Sequence, residues 1–384
     1  MQILSVEFTL FLTGSILLLA VANRLAWPWL MALTGMVFLA IMMPWSLVFF
    51  GFSAVSVWWL IRTGSLSSAA WLAGLSILAV LFVVNKWLTG QGPDVSPAWM
   101  LATIGVSYLI PKAIHLLTEV YKGKVESLSF SGFLAWLFFP LTMPAGPIHG
   151  YPDFETNRQA HSWSLDQVSE GLERLLFGYF KIVVLANFLV SMKFNQWLNS
   201  GAVTDPGLAG YLDCIRYGAN LYFQFSGFTD IILGAGLLAG FRLPENFNFP
   251  FLAVNINEFW KRWHMSLTDW TKRYVFFPIF AQTRNAYIGV ICTMLVIGLW
   301  HELSWRYLLW ALYHGAAIAI WQWYRSVRPA PESSPWWKRA ISIVFTLQVV
   351  ILSFAITKEH SLEKSLTIYT DLFHTIGRYV FFFM

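Results

Sequence analysis

Apolar residues run along this chain in long blocks instead of the two-residue alternation of a half-buried strand. Runs at 6–23, 28–43, 45–61, 68–85 and 97–110 are separated by one or two charges or a Gly/Pro cluster. Most approach the length of about 20 residues that a hydrocarbon core requires. They predict five consecutive hydrophobic helices, the second and third broken at Pro44. Lys112, His115, Glu119, Lys122, Lys124 and Glu126 then lie among apolar residues, which predicts a helix over 112–126 whose end reaches water. A further apolar run follows at 133–143.

The longest polar interval, 149–173, carries Asp153, Glu155, Arg158, Asp166 and Glu170 and reads as a loop plus an amphipathic helix. Spanning patterns continue at 175–190, 207–223 and 227–241, with gaps at Gly and Pro. Residues 251–276 break the rhythm. Glu258, Lys261, Arg262, Asp269, Lys272 and Arg273 stand there among Trp260, Trp263, Trp270 and Tyr274. Asn255 followed by Glu258 has capping-box spacing and predicts a helix start. So charged a segment must be buried in protein, lie along the interface or line a polar cavity. Apolar runs resume at 286–300, 305–324, 340–357 and 366–384. The length has room for about ten to twelve crossings and no separate soluble domain, so 1–384 reads as a single all-α integral-membrane domain.

Composition sharpens this picture. Apolar residues make up 57% and charged residues 12%, against roughly 25% charged in an ordinary globular chain, which excludes a soluble enzyme. The 21 Trp, 33 Phe and 14 Tyr residues suit lipid-facing helices and interfacial belts. The net charge of +5 comes from basic residues scattered in short inter-helix loops, a positive-inside pattern that implies no nucleic-acid partner. Lys261, Arg262, Lys272, Arg273 and Arg284 precede the hairpin 286–324, and Arg325, Arg328, Lys338 and Arg339 follow it. Both groups then face the cytoplasm, and His301 near the hairpin tip lies away from it. Cys214 and Cys292 offer neither a disulfide framework nor metal-ligand spacing. The first apolar run lacks a basic leader and a small-residue cleavage site and is expected to be a retained helix.

Three of the eight histidines, His264, His301 and His314, fall in the unusual half of the chain. A membrane-embedded histidine needs a partner and is a functional-site hypothesis by default, the alternative being a structural bond to a neighbouring helix. His301, in Gly298-Leu299-Trp300-His301-Glu302 at a hairpin turn, is the candidate general base, because a neutral imidazole takes a hydroxyl proton near physiological pH. The string His301-Glu302-Leu303-Ser304-Trp305 puts Trp where a zincin needs its second His, so no metal site is expected. Gly234-Ala235-Gly236-Leu237-Leu238-Ala239 imitates a dinucleotide fingerprint with no strand before it; Gly236 and Gly240 instead have small-xxx-small spacing for helix packing. No Gly-x-Ser-x-Gly elbow occurs. Asn246 and Asn248, interleaved with rings in Asn-Phe-Asn-Phe-Pro, are either a backbone brace or substrate-facing groups. Asp230, inside an apolar run, needs a partner, expected to be Arg242 or a residue of 261–273.

Several ordered blocks carry a family resemblance. They are Phe138-Phe139-Pro140 with Ala145-Gly146-Pro147-Ile148, then Phe225-Ser226-Gly227-Phe228-Thr229-Asp230, then Asn246-Phe247-Asn248-Phe249-Pro250. Glu258-Phe259-Trp260-Lys261-Arg262-Trp263-His264-Met265-Ser266-Leu267 follows, and the set ends with Gly298-Leu299-Trp300-His301 and Leu312-Tyr313-His314-Gly315. In this order they resemble the membrane-bound O-acyltransferase (MBOAT) family, in its bacterial cell-envelope branch of teichoic-acid D-alanyl transfer and alginate O-acetylation proteins. The core motifs fall at about 104–158 and 218–318. Gly105-Val106-Ser107-Tyr108-Leu109 with Lys112-Ala113-Ile114 resembles the D-alanyl transfer proteins, whereas Ile148-His149-Gly150-Tyr151-Pro152 lacks the basic residues expected of them.

The resemblance implies a ring of tilted transmembrane helices around a central tunnel, multi-pass in the bacterial cytoplasmic (inner) membrane. It implies His301 as catalytic base and His264 as a second required histidine, with Asn246, Asn248, Trp260, Arg262 and Trp300 as candidate substrate-binding residues. The donor is expected to be a thioester on the cytoplasmic side, an acyl carrier protein's phosphopantetheine or acyl-CoA, with no bound cofactor. A D-alanyl or acetyl group would pass to a hydroxyl of an envelope polymer or to a partner transferase outside. A transporter or flippase using the buried His and Asp groups as a polar pathway, and a structural assembly subunit, are the alternatives.

Overall fold

The computed structural model describes residues 6–21, 26–42, 44–62, 65–90, 105–125, 128–160, 164–328, 335–359 and 361–382, which are all-helical, with no strand among them. The first helices are α1 (Val6–Val21), α2 (Trp27–Met42), α3 (Pro44–Ile61), α4 (Ser68–Gly90), α5 (Val106–Tyr121), α6 (Phe130–Leu137) and α7 (Tyr151–Gln159). α8 (Leu165–Phe180) continues in π-type turns over Lys181–Phe194 into α9 (Asn195–Leu198). Then come α10 (Pro206–Leu238), α11 (Ile256–Arg262), α12 (Met265–Thr271) and α13 (Phe277–Thr283). α14 (Ala286–His301), α15 (Trp305–Val327), α16 (Trp336–Lys358) and α17 (Leu362–Phe382) complete the order. Pro44–Ile61, Ser68–Thr89, Leu165–Leu198, Pro206–Leu238 and Trp336–Lys358 are long and apolar enough to cross a membrane, and 8–19, 27–41 and 286–301 are shorter apolar helices. The chain is a polytopic membrane protein of helical class.

Several expected segments differ. Residues 97–104 and Glu126 lie outside the described residues, and one helix, α5, runs from 106 through Pro111 and Lys112 where the pattern suggested a boundary. The gaps expected between 223 and 227 do not exist: α10 is continuous for 33 residues, because a glycine inside a packed helix removes a side chain without removing a backbone hydrogen bond. The charged stretch is not one helix. It is α11, a break at Trp263-His264, α12, a π-type turn over Lys272–Phe276, and α13.

The chain divides into two units. In the first, residues 1–176 and 229–245, the rings of Phe139, Phe154 and Phe241 meet at 5.0 to 5.5 Å. The imidazole of His149 packs on two of them and donates from Nδ1 to the Pro147 carbonyl at 3.2 Å. Buried Lys112 donates to the Trp136 carbonyl at 2.8 Å, and the Trp136 indole donates to the His149 carbonyl at 3.2 Å. α5 is thus tied to α6, and the Ala-Gly-Pro-Ile block to α6 through His149, by satisfied backbone carbonyls.

Asp230 pairs with Arg174 at 2.7 Å, not with Arg242 or the 261–273 segment. Arg242 is taken by Glu170, and Arg174 lies 56 residues upstream, beyond any local pattern. The close helix contact also falls elsewhere than the spacing of Gly236 and Gly240 suggested. A Cβ on Gly234 would stand 2.6 Å from the Gly171 carbonyl oxygen, so the α8 and α10 backbones meet there. Gly236 accepts from the Phe241 N–H and Gly240 takes φ 74, a helix-ending turn.

In the second unit, residues 177–228 and 246–384, α14 and α15 form a hairpin, α16 packs on α15, α17 on α16, and α11 on α15. Asp205 caps α10 through the Leu208 N–H, with Pro206 at the first helical position. The Thr375 hydroxyl, that amide and the Arg378 guanidinium hold the Asp205 carboxyl below its usual range.

Candidate active site

Five helices of the second unit line a cavity of about 110 Å³. α10 contributes Tyr217, Leu221 and Phe225, and α15 contributes Tyr307, Trp310 and His314. α11 adds Phe259 and Trp260, α16 adds Val350, Ser353, Phe354 and Thr357, α14 ends in His301, and His264 joins α11 to α12. The spacings i, i+4, i+8 on α10 and i, i+3, i+7 on α15 are those of one helix face.

His264 is 2% exposed and sits between α11 and α12 with φ 46 and ψ 54. A non-glycine residue in that region stores backbone strain, which persists only where surroundings impose it. Asn246 does so here. Its carbonyl accepts from the Met265 N–H at 2.9 Å, and its Oδ1 accepts from the Ser266 N–H and hydroxyl at 3.2 and 2.7 Å. The capping box holds α11 from the other end: Asn255 accepts from the Glu258 N–H at 2.8 Å and Glu258 from the Val254 N–H at 3.0 Å. The imidazole is thereby aimed at Phe225, 4.9 Å away edge to face, and Trp300, 5.8 Å away.

His301 is the last residue of α14 and, unlike His264, is exposed. It stacks on Tyr307 at 5.7 Å and meets Trp310 edge-on at 5.8 Å. Gly298 makes this approach possible, since a Cβ there would lie 2.6 Å from the Tyr307 carbonyl oxygen. The neighbouring Glu302 is held by Arg306 at 2.7 Å, and Arg306 also donates to the Thr357 and Glu359 carbonyls. Its carboxylate is therefore engaged in a tether between α15 and α16. Trp300 touches both histidines, 4.8 Å from His301.

His314 is 1% exposed and accepts from the Trp260 indole N–H at 3.4 Å. Indole nitrogen only donates, so His314 Nδ1 carries no proton and the ring is the neutral Nε2–H tautomer.

The chain matches the MBOAT, membrane-bound O-acyltransferase family over residues 23–357. It belongs to that family. It is 32% identical over 282 residues to the probable alginate O-acetylase AlgI of Azotobacter vinelandii, covering 71% of this chain and 54% of that one. It is 28% identical over 309 residues to the teichoic acid D-alanyltransferase of Bacillus subtilis, covering 74% and 76%. It is also 28% identical over 251 residues to the peptidoglycan O-acetyltransferase of Helicobacter pylori, covering 62% and 46%. The chain spans about half the length of the alginate O-acetylases it matches.

In this MBOAT chain, His264, His301 and Trp260 line one cavity, and Trp300 lies against both histidines. Asn246 and Asn248 do not line it. Asn246 is the brace just described, and Asn248, exposed, exchanges backbone contacts with Arg262, whose guanidinium also pairs with Glu258 at 2.5 Å. Tyr217, Phe225, Tyr307, Trp310 and His314 also line the cavity and are not among the site residues expected from the sequence. The helix-face spacing of Tyr307, Trp310 and His314 was the available signal, masked because α15 is rich in aromatic residues on other faces too.

Proposed function

We propose that this protein is an O-acyltransferase of the bacterial cytoplasmic membrane that moves a short acyl group, acetyl or D-alanyl, from a cytosolic thioester to a hydroxyl of an envelope polymer or a partner protein. The observation that carries this reading is the pairing, on one small aromatic-walled cavity, of an exposed histidine at a helix end with a buried one held in a strained conformation. The names of the relatives, which include an O-acetylase, a D-alanyltransferase and an O-acetyltransferase, support the same chemistry.

A ring nitrogen of His301 takes the acceptor hydroxyl's proton as that oxygen adds to the thioester carbonyl. The tetrahedral adduct collapses with cleavage of the carbon–sulfur bond, and the thiolate leaves with the proton from the imidazolium. Glu302, paired with Arg306, does not line the cavity, whereas His301 does. His264 is the candidate donor to the developing oxyanion, where a pre-aimed buried group is most effective. The donor thioester is a phosphopantetheine arm, on a carrier protein or in acyl-CoA.

The test is mild-alkali release of ester-linked groups from envelopes of a strain lacking the gene, complemented with wild type or His301→Ala at equal membrane expression. Wild type is expected to restore acetate or D-alanine and His301→Ala to lower it by about 10²- to 10⁴-fold in rate, the usual share of general base catalysis. Equal restoration by both would overturn the mechanism, and absence of any released ester would move transport of an envelope precursor ahead.

A further inference from the structure

A second cavity, of about 480 Å³, opens beside the first within the same unit. Its mouth is polar, with exposed Lys261, Lys272 and Asp269, and its floor is apolar, with Val290, Met294, Ile297 and Ile318. Among the described residues, Trp260 alone lines both cavities. The indole is 6% exposed, edge-on to His314 at 5.3 Å and to Trp310 at 5.8 Å, and bonded through its N–H to His314. A large flat ring, pinned on one edge, therefore forms the partition between a cationic, amphipathic crevice and the small chamber of the histidines.

The geometry points to Trp260 as the residue that sets acyl length, with the crevice as the seat of the donor's phosphopantetheine arm. This rests on the acyl-transfer reading. Two lysines and one carboxylate leave the mouth net positive, suited to the arm's phosphate, and the apolar floor suits the amide-linked chain behind it. The indole occupies the space a longer acyl tail would need to pass into the 110 Å³ chamber. A short acetyl or alanyl group goes past its edge, and a fatty acyl group does not.

The probes are S-acetyl-, S-butyryl- and S-octanoyl-phosphopantetheine, with binding read by thermal stabilisation of the full chain in nanodiscs. Wild type is expected to bind the acetyl form at least about tenfold more tightly than the octanoyl form. In Trp260→Ala that ratio should fall to within about threefold, with Trp260→Phe between the two as the variant that keeps a ring in the core. Lys261→Ala with Lys272→Ala should weaken all three probes alike and remove the salt dependence. Acetyl-CoA run in parallel separates the sources: tighter binding than the acetyl arm indicates a nucleotide donor, equal binding a carrier protein, and both support the seat. An unchanged length ratio in both Trp260 variants, or no binding of any probe to wild type, overturns the proposal. The ester-release comparison with His301→Ala reads the chemistry separately, so the length gate and the reaction fail independently.

Discussion

His264 shows how much a single position can be asked to do. Its backbone lies in the left-handed region, where Asn is tolerated nearly as well as any residue other than glycine. His264→Asn should therefore fold and insert as wild type does, with a similar thermal midpoint. Its amide is too short to reach Phe225 and Trp300 as the ring does, and transfer should fall by about 10²- to 10³-fold if the imidazole supports the oxyanion. Turnover measured beside the thermal midpoint checks this, and full activity in His264→Asn would reduce the residue to a backbone role. At this scale the sequence was informative where chemistry is local: His301 at a hairpin turn and the Asn255/Glu258 cap are both visible in short strings. The roles of Asn246 and His314 were not, because each depends on a partner 20 or 54 residues away, Ser266 for one and Trp260 for the other.

Among elements, the α14/α15 hairpin decides where His301 stands. Gly298 in the Gly-Leu-Trp-His string is explained by the Tyr307 carbonyl, against which any Cβ would press. Backbone is the obstacle, so Gly298→Ala must push the helices apart, at a cost of about 1–3 kcal/mol for overpacking. The same shift separates His301 from Tyr307 and Trp310, so activity should fall together with the thermal midpoint. If only one of the two changes, the glycine does not position the histidine. Helix existence was legible from the apolar runs, and helix continuity was not. Gly and Ser in 223–227 look like punctuation, but α10 passes through because the Gly227 site is filled by a neighbouring backbone, the Gly178 carbonyl. Conversely, nothing in the hydrophobic period marks the break at Trp263-His264. That break is made by hydrogen bonds from Met265 and Ser266 back to Asn246.

For the molecule as a whole, composition made the membrane unavoidable, but only the packed structure separates lipid-facing helices from interior ones. The two most apolar of the long helices are not the best buried. Only 33% of the apolar stretch of Trp336–Lys358 and 17% of that of Ser68–Thr89 is buried, whereas Pro206–Leu238, the least apolar of the five long helices, has 67%. Without a hydrophobic driving force between helices in lipid, the most apolar surface belongs against the acyl chains, and the helix with more polar and small residues packs inside. Trp87, Val80 and Leu72 on α4 are 56 to 61% exposed, while Ile231, Ile232 and Ala235 on α10 are at most 1% exposed. A carbene-generating photoactivatable lipid in reconstituted vesicles should therefore label peptides from α4 several-fold more than peptides from α10, read by mass spectrometry. Equal labelling would mean that α10 faces lipid, and the cavity walls built on Tyr217, Leu221 and Phe225 would then be open to the bilayer.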